Sequence, residues 1–315
     1  MEIKIAKSAG FCFGVRRSVE LAEGLLEEGP AYSLGELIHN DDVVRRLGDR
    51  GLKLIREPSE LEPGDRVIIR SHGVAKSVCD ELEAIGAVVT DATCPKVKKI
   101  HEIVSDASEK GRFVIIIGTK HHPEVEAVCG WCSECAVCND VTELREYLEE
   151  HEEIRGMPLT MVIQTTQTKK NYEECANFLK KAYTNVEIYA TICGATSMRQ
   201  EEALNLSAEC DAMVVIGGKH SANSVHLAEI CSQQCDNVQF VENAGGIEMD
   251  RLKGVRLAGI TAGASTPAWI IKEVSVKMSE EIKIEEAAVE EKEMSFDEML
   301  EESIKTIYNG DKVTG

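Results

Sequence analysis

The chain has 315 residues, 43% hydrophobic and 29% charged, with a formal net charge of −20. That length accommodates two or three domains with their own cores. The acidic balance excludes a general polyanion-binding surface, and an aromatic content of 4% leaves little for base stacking.

The opening MEIKIAKSAG reads as a strand and a turn, without the cationic and apolar regions of a signal peptide. No run of about 18 apolar residues occurs, so no membrane span is expected. Twelve cysteines without a secretion signal point to a reducing, cytoplasmic setting. There cysteines mean metal, catalysis or packing.

Short apolar runs then follow in order: RVIIRS, AVVTDA, RFVIIIG, LTMVIQT, VEIYATI, AMVVIGG and VRLAGIT. Near-continuous runs of this kind suit strands buried on both faces of a parallel sheet. Amphipathic stretches such as VRRSVELAEGLLEEG and VKKIHEIVSDASEKG lie between them, several ending in a Gly that suits a helix C-cap. This alternation predicts an α/β fold with helices covering mostly parallel sheets. Polar residues gather in the turns from strand to helix: RSHGVAK, DATCPKV, GTKHHPEV, IQTTQTKK, TICGATS, GGKHSANS and TAGASTP. Ligands bind in such places, outside the strand C-termini and beside free helix N–H groups.

Cys12, Cys94 and Cys193 each sit in one of these turns, about one per domain-sized unit. Three thiolates meeting at a centre can hold a [4Fe–4S] cube and leave one iron open to substrate. For any single Cys, packing as a small hydrophobe is the ordinary reading. The run Cys129, Cys132, Cys135 and Cys138 has a more conspicuous spacing but a poorer context. VEAVCGWC reads as a helix end and CAVCND as a short strand, which would point the side chains apart. A bacterial ferredoxin run has a longer last gap and a following Pro; here Asn139 follows. Packing is therefore expected for the run, and for Cys79, Cys175, Cys210, Cys231 and Cys235. A closed four-cysteine electron carrier and an iron–sulfur sensor remain as other function classes.

GFCFGV, SHG, DATCP, HHPEVE, QTT, TICGAT-x-x-RQ, GGKHSANS and TAGAS occur in this order. Together they resemble the 4-hydroxy-3-methylbut-2-enyl diphosphate reductase family, over about residues 1–280. The resemblance implies three similar α/β domains arranged as a cloverleaf around a central [4Fe–4S] cluster. The units would be 14–95, 96–193 and 194–280, with 1–13 supplying an N-terminal strand and the first cluster turn. It implies reductive dehydration of an allylic diphosphate alcohol to isopentenyl and dimethylallyl diphosphates, with electrons from a ferredoxin or flavodoxin.

Matching positions make Cys12, Cys94 and Cys193 the cluster ligands. His39, His72 and His122 match diphosphate-site histidines, and Ser221, Asn223 and Ser265 match polar anchors at helix starts. Glu124 matches the proton donor. As a first-turn residue behind Pro123 its pKa would fall; in a dry pocket it would rise. Thr165 matches a position that handles the substrate hydroxyl or relays a proton, with Thr166 beside it. Gln164 is assigned to support and Thr196 to fixing the Cys193 loop; capping is the bland alternative for the threonines. His101, His151 and His226 are expected on helix faces, and His121 and His220 beside the site.

Residues 280–302 hold eleven acids against two lysines, as a solvated linker does. The end, through GDKVTG, resembles the lead-in to an OB-fold RNA-binding repeat. The expectation is an acidic tail over 281–315 leading into a downstream module, without RNA binding by this part itself.

Overall fold

The computed structural model describes residues 1–280. The expectations for the acidic tail and the OB-fold lead-in fall on 281–315, outside the described residues.

Strand β1 (Glu2–Ile5) runs into helix α1 (Phe13–Glu27). With α1 on its sheet, a first unit follows: β2 (Ala31–Leu34), α2 (Asp41–Asp49), β3 (Leu52–Ile55), β4 (Arg66–Ile69), α3 (Lys76–Ile85) and β5 (Val88–Asp91). The second unit repeats it: α4 (Pro95–Glu109), β6 (Phe113–Ile117), α5 (Pro123–Cys129), β7 (Cys135–Cys138), α6 (Val141–Glu150), β8 (Leu159–Ile163), α7 (Lys169–Ala182) and β9 (Val186–Ile188). The third has α8 (Gly194–Glu209), β10 (Ala212–Ile216), α9 (Ala222–Cys231), β11 (Val238–Val241), β12 (Leu257–Ala262) and helical backbone over 268–280.

The sheets have the orders β3-β2-β4-β5, β7-β6-β8-β9 and β11-β10-β12-β1, and every strand pair is parallel. One topology thus occurs three times. In the third sheet the fourth place is taken by β1, whose Ile3 pairs with Ala258. The first strand of the chain thereby closes the last unit.

Each sheet carries an apolar cluster on either face, because successive residues of a strand point to opposite sides. In β6, Ile115 and Ile117 join one cluster and Val114 and Ile116 the other. That two-sided burial explains the unbroken apolar runs of β6, β8, β10 and β12. AYSL, LKLI and VQFV, which lack such runs, form β2, β3 and β11.

The helices begin where side chains or prolines prepare them. Asn40, Asp140 and Thr168 accept N–H bonds as caps, and Pro95 and Pro123 open α4 and α5. Gly86 closes α3 in the left-handed conformation, φ 79°.

The second unit docks on the first through the turn after α5. Trp131 Nε1 donates to Val74 O of the first unit at 2.9 Å, while its ring stacks on His101 of α4 in its own unit, with centroids 5.0 Å apart. Gly130 lies so close to α3 that an added Cβ would stand 2.2 Å from Ala75 Cβ. Gly130→Ala is therefore expected to cost about 1–3 kcal/mol in chemical denaturation. Ala75→Gly should recover part of that loss; an unchanged midpoint in Gly130→Ala would show that the units are not so tightly docked.

Candidate active site

Nine turns converge on one cavity, three from each sheet. The turns after β2, β6 and β10 carry His39, then His122 and Glu124, then Ser221 and Asn223. The turns after β4, β8 and β12 carry Ser71 and His72, then Thr165 and Thr166, then Ser265. The turns after β5, β9 and β1 carry Cys94, Cys193 and Cys12. All twelve side chains named from the sequence line this cavity of about 750 Å³, part of it open to solvent. Its convergent polar side chains suit a small-molecule site.

Each cavity cysteine is the N-cap of a long helix: Cys12 of α1, Cys94 of α4 and Cys193 of α8. Three positive dipole ends therefore face one centre, a favourable place for thiolates. Each cysteine N–H is also held by a neighbouring turn: Cys12 by Ala264 O at 3.1 Å, Cys94 by Ser71 O at 2.9 Å, and Cys193 by Thr165 O at 2.9 Å. A Cβ on Gly14 would stand 2.7 Å from Cys94 Sγ and 4.0 Å from Cys12 Sγ. Only glycine leaves that space between the two sulfurs open.

Among the described residues, no three His, Cys, Asp or Glu side chains close around a single ion. The donor set is instead three soft thiols spread around a space, which fits an iron–sulfur cluster better than one metal. Burial pushes the Cys94 thiol up, with the N–H groups of Lys96 and Val97 opposing it. Arg199 is buried among these turns, donating to Gly10 O at 2.7 Å and Ala195 O at 3.1 Å. Burial lowers its pKa, and Cys12 and Cys193 offset that.

Opposite the cysteines, His39, His72 and His122 form a triangle with ring centroids 4.4, 5.5 and 5.7 Å apart. Burial holds all three below the ordinary imidazole range, His122 at about 4. Mutual repulsion and Arg70 add to the effect at His72 and His122. The Glu124 N–H donates to His122 Nδ1 at 3.1 Å, so neutral His122 carries its proton on Nε2. Both nitrogens of His39 and Nδ1 of His72 are buried without a hydrogen bond. Glu36 Oε2 is 3.6 Å from His39 Nδ1, too long for one.

Glu124 is 3% exposed. Its Oε1 accepts the Thr165 N–H at 2.7 Å and its Oε2 accepts the Thr165 hydroxyl at 2.6 Å. Burial raises its pKa against these two bonds. Of the two opposed influences read from the sequence, desolvation wins over the helix start. Gln164 Oε1 accepts from Thr119 N at 2.9 Å and ties this turn to the one leading to His122.

Asn223 is buried with neither side-chain polar atom bonded, and the Thr166 hydroxyl is likewise unpaired. Ser265 donates to His39 O at 2.9 Å, so its hydroxyl is committed to the His39 turn. Thr196 lies buried on the cavity wall, its N–H bonded to Cys193 O at 2.8 Å. His226 contacts Thr166 O at 2.9 Å through Nδ1, while His101 and His151 stack on Trp131 and Tyr147. His121 and His220 are exposed and do not line the cavity. Sequence reasoning missed Ser71, Arg70 and Arg199. The SHG and RQ motifs contain or adjoin them, but only the fold brings them to the site.

A family described as LytB protein matches residues 3–279. The chain belongs to the LytB family. A curated 4-hydroxy-3-methylbut-2-enyl diphosphate reductase of Caldanaerobacter subterraneus subsp. tengcongensis is 44% identical over 284 residues, 88% of this chain and 96% of the relative. A solved (E)-4-hydroxy-3-methyl-but-2-enyl diphosphate reductase, described as the terminal enzyme of the non-mevalonate pathway, is 38% identical. It covers 89% of this chain and 100% of its own at a TM-score of 0.66. The Plasmodium falciparum E-1-hydroxy-2-methyl-but-2-enyl-4-diphosphate reductase structure is 25% identical, with a TM-score of 0.80 over 86% of each chain.

In this LytB chain the Cys129–Cys138 run lies outside the cavity. Its side chains diverge less than expected. Cys129, Cys132 and Cys135 pack on one face of the second sheet, and only Cys138 joins the other.

The buried imidazoles carry a pH signature. Their folded pKa values lie below the unfolded value, so the folded state binds fewer protons than the unfolded one between about pH 6.5 and about pH 4. Stability is full above that window and falls as pH drops through it. The thermal midpoint should therefore decline from about pH 7 to about pH 5. Pyrophosphate, which favours charged imidazole, should reduce the decline. A midpoint independent of pH would show that the triangle is not buried neutral.

Proposed function

We propose that this LytB chain catalyses reductive dehydration of (E)-4-hydroxy-3-methylbut-2-enyl diphosphate. Two electrons and two protons remove the hydroxyl as water and leave isopentenyl or dimethylallyl diphosphate. The observation that carries this reading is the Glu124–Thr165 pair, dry and doubly bonded, in a cavity shared with three cysteines and three histidines.

Cys12, Cys94 and Cys193 hold the cofactor, a [4Fe–4S] cluster, which when bound supplies electrons and a Lewis-acidic position for the hydroxyl. The chain's own residues do the rest. His122 offers Nε2–H to the diphosphate, and His39, His72, Ser221 and Asn223 surround the same space. The unbonded polar atoms of Asn223 and of the histidines find partners only when a polar ligand arrives. Bound diphosphate draws the imidazoles toward their charged form. Ser265 keeps the His39 turn in place.

Burial keeps Glu124 protonated at higher pH than a free carboxyl, so it holds a proton where one is needed. With Glu124 protonated, the 2.6 Å bond to Thr165 reverses: Glu124 donates to Thr165 Oγ1, and the freed Thr165 proton goes to the leaving hydroxyl. Thr166 lies next to this relay. Burial of Glu124 and Thr165 keeps bulk water from it.

A ferredoxin or flavodoxin is proposed as the electron donor, since the motifs contain no nicotinamide or flavin fingerprint. All twelve cysteines are free, in keeping with a reducing compartment, and a cytoplasmic location is part of the proposal. No described helix is long and apolar enough to cross a membrane. We take 14–95, 96–193 and 194–280 as the three units, with 1–13 completing the third sheet.

Glu124→Gln should lower kcat by roughly 10²–10⁴-fold. Pyrophosphate affinity should change little, because the amide keeps the side chain's shape. Normal turnover in that variant would remove Glu124 from proton transfer, and no turnover in the parent would favour a carrier or sensor. Serine at Cys129, Cys132, Cys135 and Cys138 together should leave iron content and turnover intact. Loss of all iron in a folded variant would overturn the assignment of the cluster.

A further inference from the structure

Helix α8 does more for the centre than supply the cysteine at its start. Arg199 and Glu202, on adjoining turns of it, both hold the loop that leads from β1 to Cys12. Glu202 Oε1 accepts the Lys7 N–H at 2.7 Å, and its Oε2 accepts the Ser8 N–H at 2.8 Å. Arg199 donates from Nη2 to Gly10 O at 2.7 Å and from Nη1 to Ala195 O at 3.1 Å. Gly10 sits at φ 112°, a conformation that glycine adopts at little cost. The Cys12 turn is thus fastened to the helix that Cys193 caps.

The Arg199 guanidinium is 5% exposed and lines the cavity together with Cys12, Cys94 and Cys193. Its Nε is buried without a hydrogen bond, and its other two nitrogens meet neutral carbonyls. Among the described residues it has no carboxylate partner, since Glu202 spends both oxygens on the backbone. Lys96, the other cation on the cavity wall, is exposed. Arginine stays charged even when buried. A buried charge with only neutral partners is costly, so a negative charge belongs beside it. The cavity side chains able to carry one are Glu124 and the three cysteines. Glu124 is bonded twice to Thr165 and holds its proton, which leaves the sulfurs. Cys12 and Cys193 do favour the charged guanidinium, against its burial.

We propose that Arg199 is the fixed counter-charge of the cluster held by Cys12, Cys94 and Cys193, and that it raises the reduction potential there. The proposal rests on the cluster assignment made above. One electron added to a thiolate-held cluster adds one negative charge, and a guanidinium in the same dry space favours that state. No proton has to accompany the electron, because Arg199 is charged before and after. The field of a chain with net charge −20 works in the opposite sense, so the local cation matters more.

The test uses anaerobically purified, iron-loaded full chain without substrate. Redox mediators poise the sample, and electron paramagnetic resonance follows the reduced cluster. Arg199→Gln and Arg199→Met remove the charge, whereas Arg199→Lys keeps it without the planar fork. At the parent's midpoint each neutral variant should show at least a tenfold excess of oxidised over reduced cluster. That is a downward shift of about 59 mV or more for one electron. Arg199→Lys should stay nearer the parent than either neutral variant does, and one folded neutral variant suffices for the comparison. A neutral variant at the parent's potential overturns the proposal, and so does a lysine variant shifted as far. If the neutral variants fold but lose their iron, Arg199→Lys should retain it; loss from all three overturns the proposal. A chain that needs a cation at 199 in order to fold without iron also overturns it, because the charge then serves the fold. A parent that binds neither iron nor sulfide overturns the cluster assignment itself, a result distinct from an unshifted potential.

Discussion

Three backbone hydrogen bonds hold the centre of this molecule. Each runs from the N–H of a helix-capping cysteine to a carbonyl in the next turn of the same sheet: Cys12 to Ala264, Cys94 to Ser71, Cys193 to Thr165. They join the turns after two neighbouring strands in every unit, β12 with β1, β4 with β5, and β8 with β9. The sulfur positions therefore depend on strand register, which burial on both sheet faces enforces. They also link the thiols to the residues that meet substrate, since Ser71 precedes His72 and Thr165 bonds Glu124. A shift of one turn moves both halves of the site.

Electrostatics inside the cavity follow from its dryness. Glu124 stands at a helix start and accepts two hydrogen bonds, yet its pKa rises because burial outweighs both. The histidines fall for the same reason with the opposite sign. The result is an acid that holds its proton more tightly than a free carboxyl, beside neutral N–H donors, in a chain of net charge −20. Arg70 and Arg199 supply local positive charge that the bulk composition conceals, and together with three helix dipoles they make the centre favourable to anions.

Legibility of the fold tracked burial. Strands covered on both faces, such as FVIII and AMVVI, stood out as apolar runs. AYSL, LKLI and VQFV did not, because Tyr32, Lys53 and Gln239 break the pattern while the sheet still pairs their backbones. The site was legible for a different reason. Histidine, cysteine and hydroxyl residues cluster in the turns from strand to helix, and all twelve named residues came to one cavity. Arg70, Arg199 and Ser71 were missed because charge or a hydroxyl in a turn carries no mark of burial. That Cys129, Cys132 and Cys135 pack on one face of the second sheet was missed because the path of a turn is not written in spacing.

The amino-acid sequence by itself determined the alternating elements, the parallel sheets, the capping positions of the cysteines and the family. These depend on local periodicity, turn chemistry and motif order, which act over a few residues. Only the tertiary structure decided that β1 closes the third sheet, that Glu124 loses its water, and that His39, His72 and His122 share one wall. Those outcomes depend on desolvation and on contacts between residues far apart in the chain, which exist only once the three units have packed.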